Sequence, residues 1–176
     1  MFDTIDYLRF GNNNQKRAYS AIENLGIMYN LSEYSPILCG TLPIGVDIVG
    51  SDLDIIMNVV NFPLFEKKVT NLYGNQQDFI IKKLIIRNVP VIIANFMFED
   101  FKFELFGQPQ PVKEQHAYLH MVIENSLLQH YPCLKDEVIN LKEQGFKTEP
   151  AFCKLLGLEN DPYTALLEFG KRKKII

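Results

Sequence analysis

The chain has 176 residues, 47% of them apolar and 12% aromatic, which fits one folded domain with a buried core and excludes a disordered protein. The formal charge of −3 argues against a general nucleic-acid binder, which usually carries a basic surplus. Three widely spaced cysteines favour neither a disulfide framework nor a zinc site. We therefore expect a cytoplasmic protein with reduced thiols, without a signal peptide or a membrane-spanning segment.

The first part of the chain predicts helices alternating with short strands. Apolar residues at helical spacing predict a helix over residues 15–29, after a run of asparagines that can cap it. Short apolar runs predict strands at 37–39 and 53–60, joined by a loop at 41–50. A second helix is predicted over 62–73, with a proline in its first turn and a glycine at its end.

The second part of the chain begins with three β-rich segments, 77–87, 89–98 and 102–107, which predict an antiparallel meander. Four helices are then predicted, at residues 112–131, 134–144, 149–156 and 162–169, with Gly145, Gly157 and Gly170 as stops. The expected fold is α/β of the α+β kind, a mixed β-sheet with flanking helices and a C-terminal helical lobe. We interpret residues 1–176 as a single domain, with an α/β lobe at 1–110 and a helical lobe at 111–176.

A glycine turn followed by two aspartates is the pattern that indicates chemistry. Gly40-Thr41 precedes the run Ser51-Asp52-Leu53-Asp54 by about ten residues. Because side chains alternate along a strand, Asp52 and Asp54 share one face while Leu53 points into the core. Aspartate is depleted in strands, which argues against an ordinary solvated strand face. Two carboxylates on one face suit a Mg²⁺ ion that also binds substrate phosphates.

A third carboxylate is predicted on a later strand. Glu104 alternates with apolar neighbours, so it lies on the face of Asp52 and Asp54 if the two strands are adjacent. Three clustered carboxylates can hold two divalent ions, which activate an attacking oxygen and stabilise a leaving one. The alternatives to Glu104 are Asp78, Glu99 and Asp100, whereas Asp47 is interpreted as a turn-stabilising side chain.

The order of these motifs resembles the DNA polymerase beta-like nucleotidyltransferase superfamily: apolar-Gly-Thr, a loop, Asp-apolar-Asp, then apolar-Glu-apolar on a later strand. Further segments resemble an uncharacterised bacterial family of that fold, namely residues 40–48, 51–54, 103–107, 149–152 and 161–163. One departure is Thr41, where the superfamily more often has serine or glycine. Threonine keeps the hydroxyl group but adds a methyl group and stiffens the side chain.

The resemblance implies a nucleotidyltransferase-like sheet and transfer of a nucleoside monophosphate from a nucleoside triphosphate to an acceptor hydroxyl, with release of pyrophosphate. It implies that Gly40, Thr41 and Ser51 bind the nucleotide. It also implies that Asp52, Asp54 and Glu104 are catalytic and hold Mg²⁺ or Mn²⁺. ATP is the expected triphosphate, although the base choice stays open. The acceptor is a small molecule, a protein or an RNA end, and the acidic balance slightly favours the first two.

Two other functions stay open at this point. The chain could be a non-catalytic nucleotide-binding or regulatory module that retains the fold, which its small size favours. It could also be an interaction protein, such as the partner of a toxin, in which the Asp-Leu-Asp run is coincidental. The first alternative predicts nucleotide binding without turnover, and the second predicts no metal-dependent nucleotide binding.

Two further groups of residues have an ordinary interpretation beside a functional one. His116, His120 and Glu124 share one helix face, and a stack on the helix surface is favoured over a metal site. Alternatively, His120 or Gln115 contacts the nucleotide from the helical lobe. Scattered cations are candidates for the triphosphate, although each is also a normal solvated charge: Lys16, Arg17, Lys67, Lys68, Lys82, Lys83 and Arg87.

Overall fold

A five-stranded mixed sheet forms the centre of the computed structural model, which describes residues 2–176. The strands are β1 Ile37–Cys39, β2 Leu53–Asn58, β3 Gln77–Ile86, β4 Val89–Phe98 and β5 Phe101–Gln108. Their spatial order is β1-β2-β5-β4-β3. Strands β2 and β5 are parallel, and the other neighbouring pairs are antiparallel. The expected mixed α/β (α+β) fold and the β3–β4–β5 meander are both confirmed.

Eight α-helices are present in the described part of the chain. They are α1 Asn13–Leu25, α2 Ile27–Asn30, α3 Thr41–Ile44, α4 Phe62–Tyr73, α5 His116–His130, α6 Leu134–Glu143, α7 Thr148–Leu156 and α8 Pro162–Arg172. Short 3₁₀ helices cover Asp6–Phe10, Ser32–Tyr34 and Val112–Glu114. No helix of residues 2–176 is long and apolar enough to cross a bilayer.

Three helix boundaries differ from the predictions. The predicted helix over 15–29 is interrupted at Gly26, whose φ of 63° is left-handed and ends α1. The predicted helix over 112–131 is a 3₁₀ turn, a break at the extended Gln115, and then α5. Gly170 is not a stop but lies inside α8, where a Cβ atom would collide with Ile123 of α5. This glycine therefore permits close packing of two helices.

The two faces of the sheet pack against different helices. Leu53, Ile55 and Phe103 point to one face, where they share a buried core with residues of α1 and α4. On the other face, Ile56 packs with Met121 of α5. Helices α5 to α8 form a further cluster of their own, joined by Val46 from the α3–β2 loop. The division into lobes at 1–110 and 111–176 stays a prediction.

Candidate functional site

A cleft of about 1040 Å³ lies between the sheet and the C-terminal helices α5 to α8. The side chains predicted from the sequence all line it: Gly40, Thr41, Ser51, Asp52, Asp54 and Glu104. We call Asp52, Asp54 and Glu104 the sheet wall. The opposite side carries a second polar group, His120, Glu124, Lys142 and Glu149, which we call the helical wall.

The register of β2 and β5 brings the acidic residues together. Asp54 is the direct neighbour of Glu104 in this parallel pair, so their backbones are separated by about 4.8 Å. Burial is the main reason why the pKa of Asp54 rises from 3.8 to about 7, and repulsion from Glu104 and Asp52 adds to it. The pKa of Glu104 is also raised, first by burial and then by Asp52. The sheet wall therefore has more negative charge than its own surroundings neutralise.

Lys102 is a cation at the rim of the sheet wall. Its Nζ atom lies 2.6 Å from Oδ2 of Asp52, and this ion pair raises the pKa of Lys102. The two side chains are 49% and 29% exposed, so solvent screens much of their attraction. Lys102 thus neutralises Asp52 in part but leaves Asp54 and Glu104 without a hydrogen-bonded cation.

Gly40 allows the turn before α3 to approach Asp54. Its φ of 81° is a conformation that other residues rarely adopt. In addition, a Cβ atom at this position would lie 2.5 Å from Oδ2 of Asp54. Glycine is therefore required both for the turn and for the space beside the carboxylate.

Helix α3 and the loop that follows it are held by contacts that the sequence did not reveal. Gln15 of α1 donates from Nε2 to the carbonyl oxygen of Leu42 in α3 at 2.9 Å, and Lys142 of α6 donates to that of Val46 in the loop at 2.7 Å. Asn14 donates to Asp47, which is consistent with the turn-stabilising interpretation of this aspartate. The segment is thus held by side chains of both α1 and α6.

Ser51 closes the end of the same loop. Its Oγ atom accepts a hydrogen bond from the backbone N–H of Ile48 at 2.9 Å, and its own N–H donates to the carbonyl oxygen of Ile48. The hydroxyl proton of Ser51 has no acceptor in this pair of bonds. Ser51 can therefore shape the loop and still donate towards the cleft.

The prediction of a surface stack on α5 is wrong for His120 and Glu124, whereas His116 is exposed as expected. His120 and Glu124 are 4% and 3% exposed, so they are buried in the molecule. The Nε2 atom of His120 donates to the carbonyl oxygen of Tyr163 at 2.8 Å, and its Nδ1 atom lies 3.5 Å from Glu149. Burial raises the pKa of Glu124 well above its usual value, and Glu149 adds to the shift.

The donor chemistry of the sheet wall fits a hard divalent cation, because Mg²⁺ binds through one or two carboxylates together with substrate phosphates. Asp54 and Glu104 are neighbours in register, and their raised pKa values reflect negative charge that a cation would neutralise. Across residues 2–176, no three His, Cys, Asp or Glu side chains are grouped closely enough to hold an ion by themselves. Oxygen atoms of a substrate would have to complete such a site.

Three cationic side chains line the cleft within the described residues, and Arg87 is the one that the sequence had suggested. Arg87 donates from Nη1 to Nδ1 of His116 at 2.9 Å, and its guanidinium lies 5.5 Å from the ring centre of Tyr163. The other two are Lys142 and Lys147. Three other cations that the sequence analysis named as candidates form ion pairs elsewhere: Arg17 with Asp100, Lys68 with Glu33, and Lys83 with Glu66.

The sequence analysis missed Lys142 and Glu149, and it misjudged Glu124. A signal for two of them was present in the helical pattern. Lys142 follows Val138 at helical spacing on the apolar stripe of α6, and Glu124 precedes Leu127 at helical spacing on α5. A charged residue within an apolar stripe is buried against a neighbour and needs a partner.

A family model described as a domain of unknown function, DUF4269, matches residues 20–169. The chain belongs to this family. A search of curated proteins found no match. The family description states no activity, so the match supports membership and not a reaction.

Solved structures share the fold of this DUF4269 protein. The Cid1 poly(U) polymerase with bound Mg 3′-dATP aligns with a TM-score of 0.56, 16% identity, and coverage of 78% of this chain and 46% of that one. The polymerase core of TRAMP, an RNA surveillance complex, aligns with a TM-score of 0.54, 12% identity, and coverage of 94% and 55%.

A cytoplasmic RNA terminal U-transferase aligns with a TM-score of 0.50, 18% identity, and coverage of 74% of this chain and 39% of that one. The chain thus spans roughly half the length, or less, of these three structures. At these identities the alignments establish a nucleotidyltransferase-type fold. This is the fold that the sequence resemblance implied.

Proposed function

We propose that this protein is a metal-dependent nucleotidyltransferase that moves a nucleoside monophosphate from a nucleoside triphosphate to an acceptor hydroxyl and releases pyrophosphate. The observation that carries the proposal is the register pairing of Asp54 with Glu104 beside the Gly40 turn. The fold shared with transferases and polymerases of nucleotides supports the same activity. The bacterial origin implied by the sequence resemblance stays a prediction.

In this proposal, Asp52, Asp54 and Glu104 hold Mg²⁺ or Mn²⁺, as the donor chemistry of the sheet wall suggests. A divalent ion bound there supplies charge neutralisation for the triphosphate and lowers the pKa of a bound hydroxyl. Gly40 lets the backbone approach the phosphates without a side chain in the way, and the hydroxyl groups of Thr41 and Ser51 donate to them.

The remaining charges of the cleft orient the triphosphate. Lys147 lines the cleft, and its charge offsets part of the rise in the pKa of Glu104 that burial causes. Arg87 stands at the end where β3 meets β4, held by His116 and Tyr163. ATP is the donor we propose to test first. The helical lobe shields the reacting groups from bulk water, which strengthens electrostatic interactions there.

A small molecule is the acceptor that we favour, because acidic side chains line both walls of the cleft and repel a polynucleotide. An RNA end is the alternative, since the similar structures include a poly(U) polymerase and an RNA terminal U-transferase. The alignments with this chain cover 39% of the U-transferase and 46% of the poly(U) polymerase.

A second candidate function is nucleotide binding without catalysis. The ion pair between Lys102 and Asp52 favours it, because a lysine that neutralises one carboxylate can replace a metal ion as the counter-charge. This candidate predicts that nucleotides bind but that no pyrophosphate is released.

Thermal unfolding tests the proposal directly. Wild type and the double variant Asp52→Asn/Asp54→Asn are melted with each nucleoside triphosphate, with and without Mg²⁺ or Mn²⁺. Ligand at a hundredfold excess over its Kd adds about 2.7 kcal/mol, which raises Tm by several degrees. We expect a metal-dependent rise in wild type that the variant lacks. Pyrophosphate release then separates an enzyme from a binding module, and no rise with any nucleotide overturns both.

A further inference from the structure

One oxygen atom of the helical wall is buried and unpaired. Glu124 is 3% exposed and lines the cleft, yet its Oε1 atom has no hydrogen-bond partner among the described residues. A buried carboxyl group normally has hydrogen-bond partners for its oxygen atoms, and it also needs a counter-charge to be ionised, because the interior solvates charge poorly. Glu124 therefore marks a place where a donor from outside the chain completes the structure.

The neighbours of Glu124 do not supply this donor. Lys142 is within electrostatic range, but its Nζ atom donates to the carbonyl oxygen of Val46. His120 uses Nε2 for the carbonyl oxygen of Tyr163, and its Nδ1 atom faces Glu149. Glu149 is a second carboxylate, which repels Glu124 rather than stabilising it. The local excess of negative charge selects a cationic ligand over an anionic one.

We propose that Glu124 and Glu149 bind a protonated amine of the acceptor, so that the acceptor is an amino alcohol or amino sugar. The proposal rests on the nucleotidyltransferase function proposed above. An ammonium group supplies both the hydrogen bond that Oε1 of Glu124 lacks and a charge for the two carboxylates. A neutral hydroxyl supplies only the hydrogen bond, and a phosphate is repelled.

The cleft limits the size of the acceptor. Asp54, Glu104, Glu124 and Glu149 all line this one cleft, which has a volume of about 1040 Å³. A molecule whose amine is bound at Glu124 therefore presents a hydroxyl to Asp54 and Glu104 only if both groups fit within the cleft. This geometry favours a compact amino alcohol over a long polyamine.

Glucosamine and glucose are matched probes, since they differ by one amino group. Their binding is measured calorimetrically without metal or nucleotide, at a pH below the pKa of the amine. The proteins are wild type, Glu124→Gln and the control Glu137→Gln, which removes an exposed carboxylate of the same lobe. We expect wild type and Glu137→Gln to prefer glucosamine by about tenfold or more, and Glu124→Gln to bind both sugars alike.

Equal binding of the two sugars by wild type, or no binding of either, overturns the proposal, and so does a preference that survives in Glu124→Gln. If Glu124→Gln does not fold, Glu149→Gln tests the same subsite and is expected to reduce the preference. Binding of Mg-ATP is measured on the same samples and on Asp54→Asn. If wild type does not bind Mg-ATP, the proposed nucleotidyltransferase function is refuted; if it binds Mg-ATP but does not prefer glucosamine, only this inference is refuted.

Discussion

The two walls of the cleft are built in different ways. The sheet wall comes from two short segments of chain: Asp52 and Asp54 are two residues apart, and Asp54 is directly opposite Glu104 in register. The helical wall comes from α5, α6 and α7, whose side chains meet only after the helices pack. Each wall contains buried or partly buried charge, but Lys142 and His120 are already bonded to carbonyl groups. This difference agrees with our proposals of a divalent cation at the sheet wall and an amine at the helical wall.

The largest expected effect is on catalysis, where substitutions in the two walls should change different kinetic parameters. Asp54→Asn keeps the size of the side chain but removes a proposed metal ligand, so we expect pyrophosphate release to fall by about 10²–10³-fold or more. Glu149→Gln, on the helical wall, should affect the KM of the acceptor more than the rate with saturating acceptor. A variant Asp54→Asn that retains wild-type turnover would contradict the role of the sheet wall.

The contrast between the walls also explains what the sequence could predict. Alternation along a strand placed Asp52 and Asp54 on one face, and the structure has both lining the cleft. Glu104 lies beside Asp52 and Asp54 only if β2 pairs with β5. The residue spacing could not predict this pairing, which the structure shows. Helices α5 to α8 were recognised, yet periodicity does not say which helices touch. The burial of His120 and Glu124 was therefore misjudged, and Lys142 was missed.

Glycine substitutions test whether the turn is adapted to the sheet wall. Gly40→Ala and Gly50→Ala both place a Cβ atom on a residue of positive φ, 81° and 82°, where side chains are disfavoured. Only Gly40→Ala adds a collision with Asp54, because no atom lies within 4 Å of a Cβ at Gly50. We expect urea unfolding to show about 1–3 kcal/mol more destabilisation for Gly40→Ala. Equal losses would mean that the turn moves freely away from Asp54.

The raised pKa of Asp54 predicts how stability depends on pH without metal. The folded protein holds this proton up to about pH 7, whereas the unfolded chain releases it near 3.8, so the group destabilises the fold increasingly as pH rises between these values. Asp54→Asn removes that loss. The quantity compared is the free energy of unfolding of Asp54→Asn minus that of wild type, measured with urea. We expect this difference to be about 1–3 kcal/mol larger at pH 7.5 than at pH 4.

A second aspartate provides a control of opposite sign. The pKa of Asp161 is lowered, because its carboxylate accepts hydrogen bonds from the hydroxyl and the backbone N–H of Thr164. Its stabilisation is present above the ordinary value of 3.8 and is lost as pH falls through the lower folded value. Asp161→Asn should therefore lose stability relative to wild type as pH rises to about 3.8, with no further change between pH 4 and 7.5. The same pH trend in both variants would contradict the assignment of uncompensated charge to Asp54.

The smallest expected effect concerns Lys102, which competes with a metal ion for the sheet wall. Lys102→Met removes a positive charge beside Asp52, and the ion pair is too exposed for its loss to alter stability by more than about 1 kcal/mol. We expect Mn²⁺ to bind up to about tenfold more tightly, measured by paramagnetic titration, because a divalent ion no longer meets this repulsion. Lys67→Met is the matched control, since it removes an exposed lysine of α4, on the opposite face of the sheet. Weaker Mn²⁺ binding in Lys102→Met alone would mean instead that Lys102 orients Asp52 for the ion, and the lysine would then belong to the metal site rather than replace it.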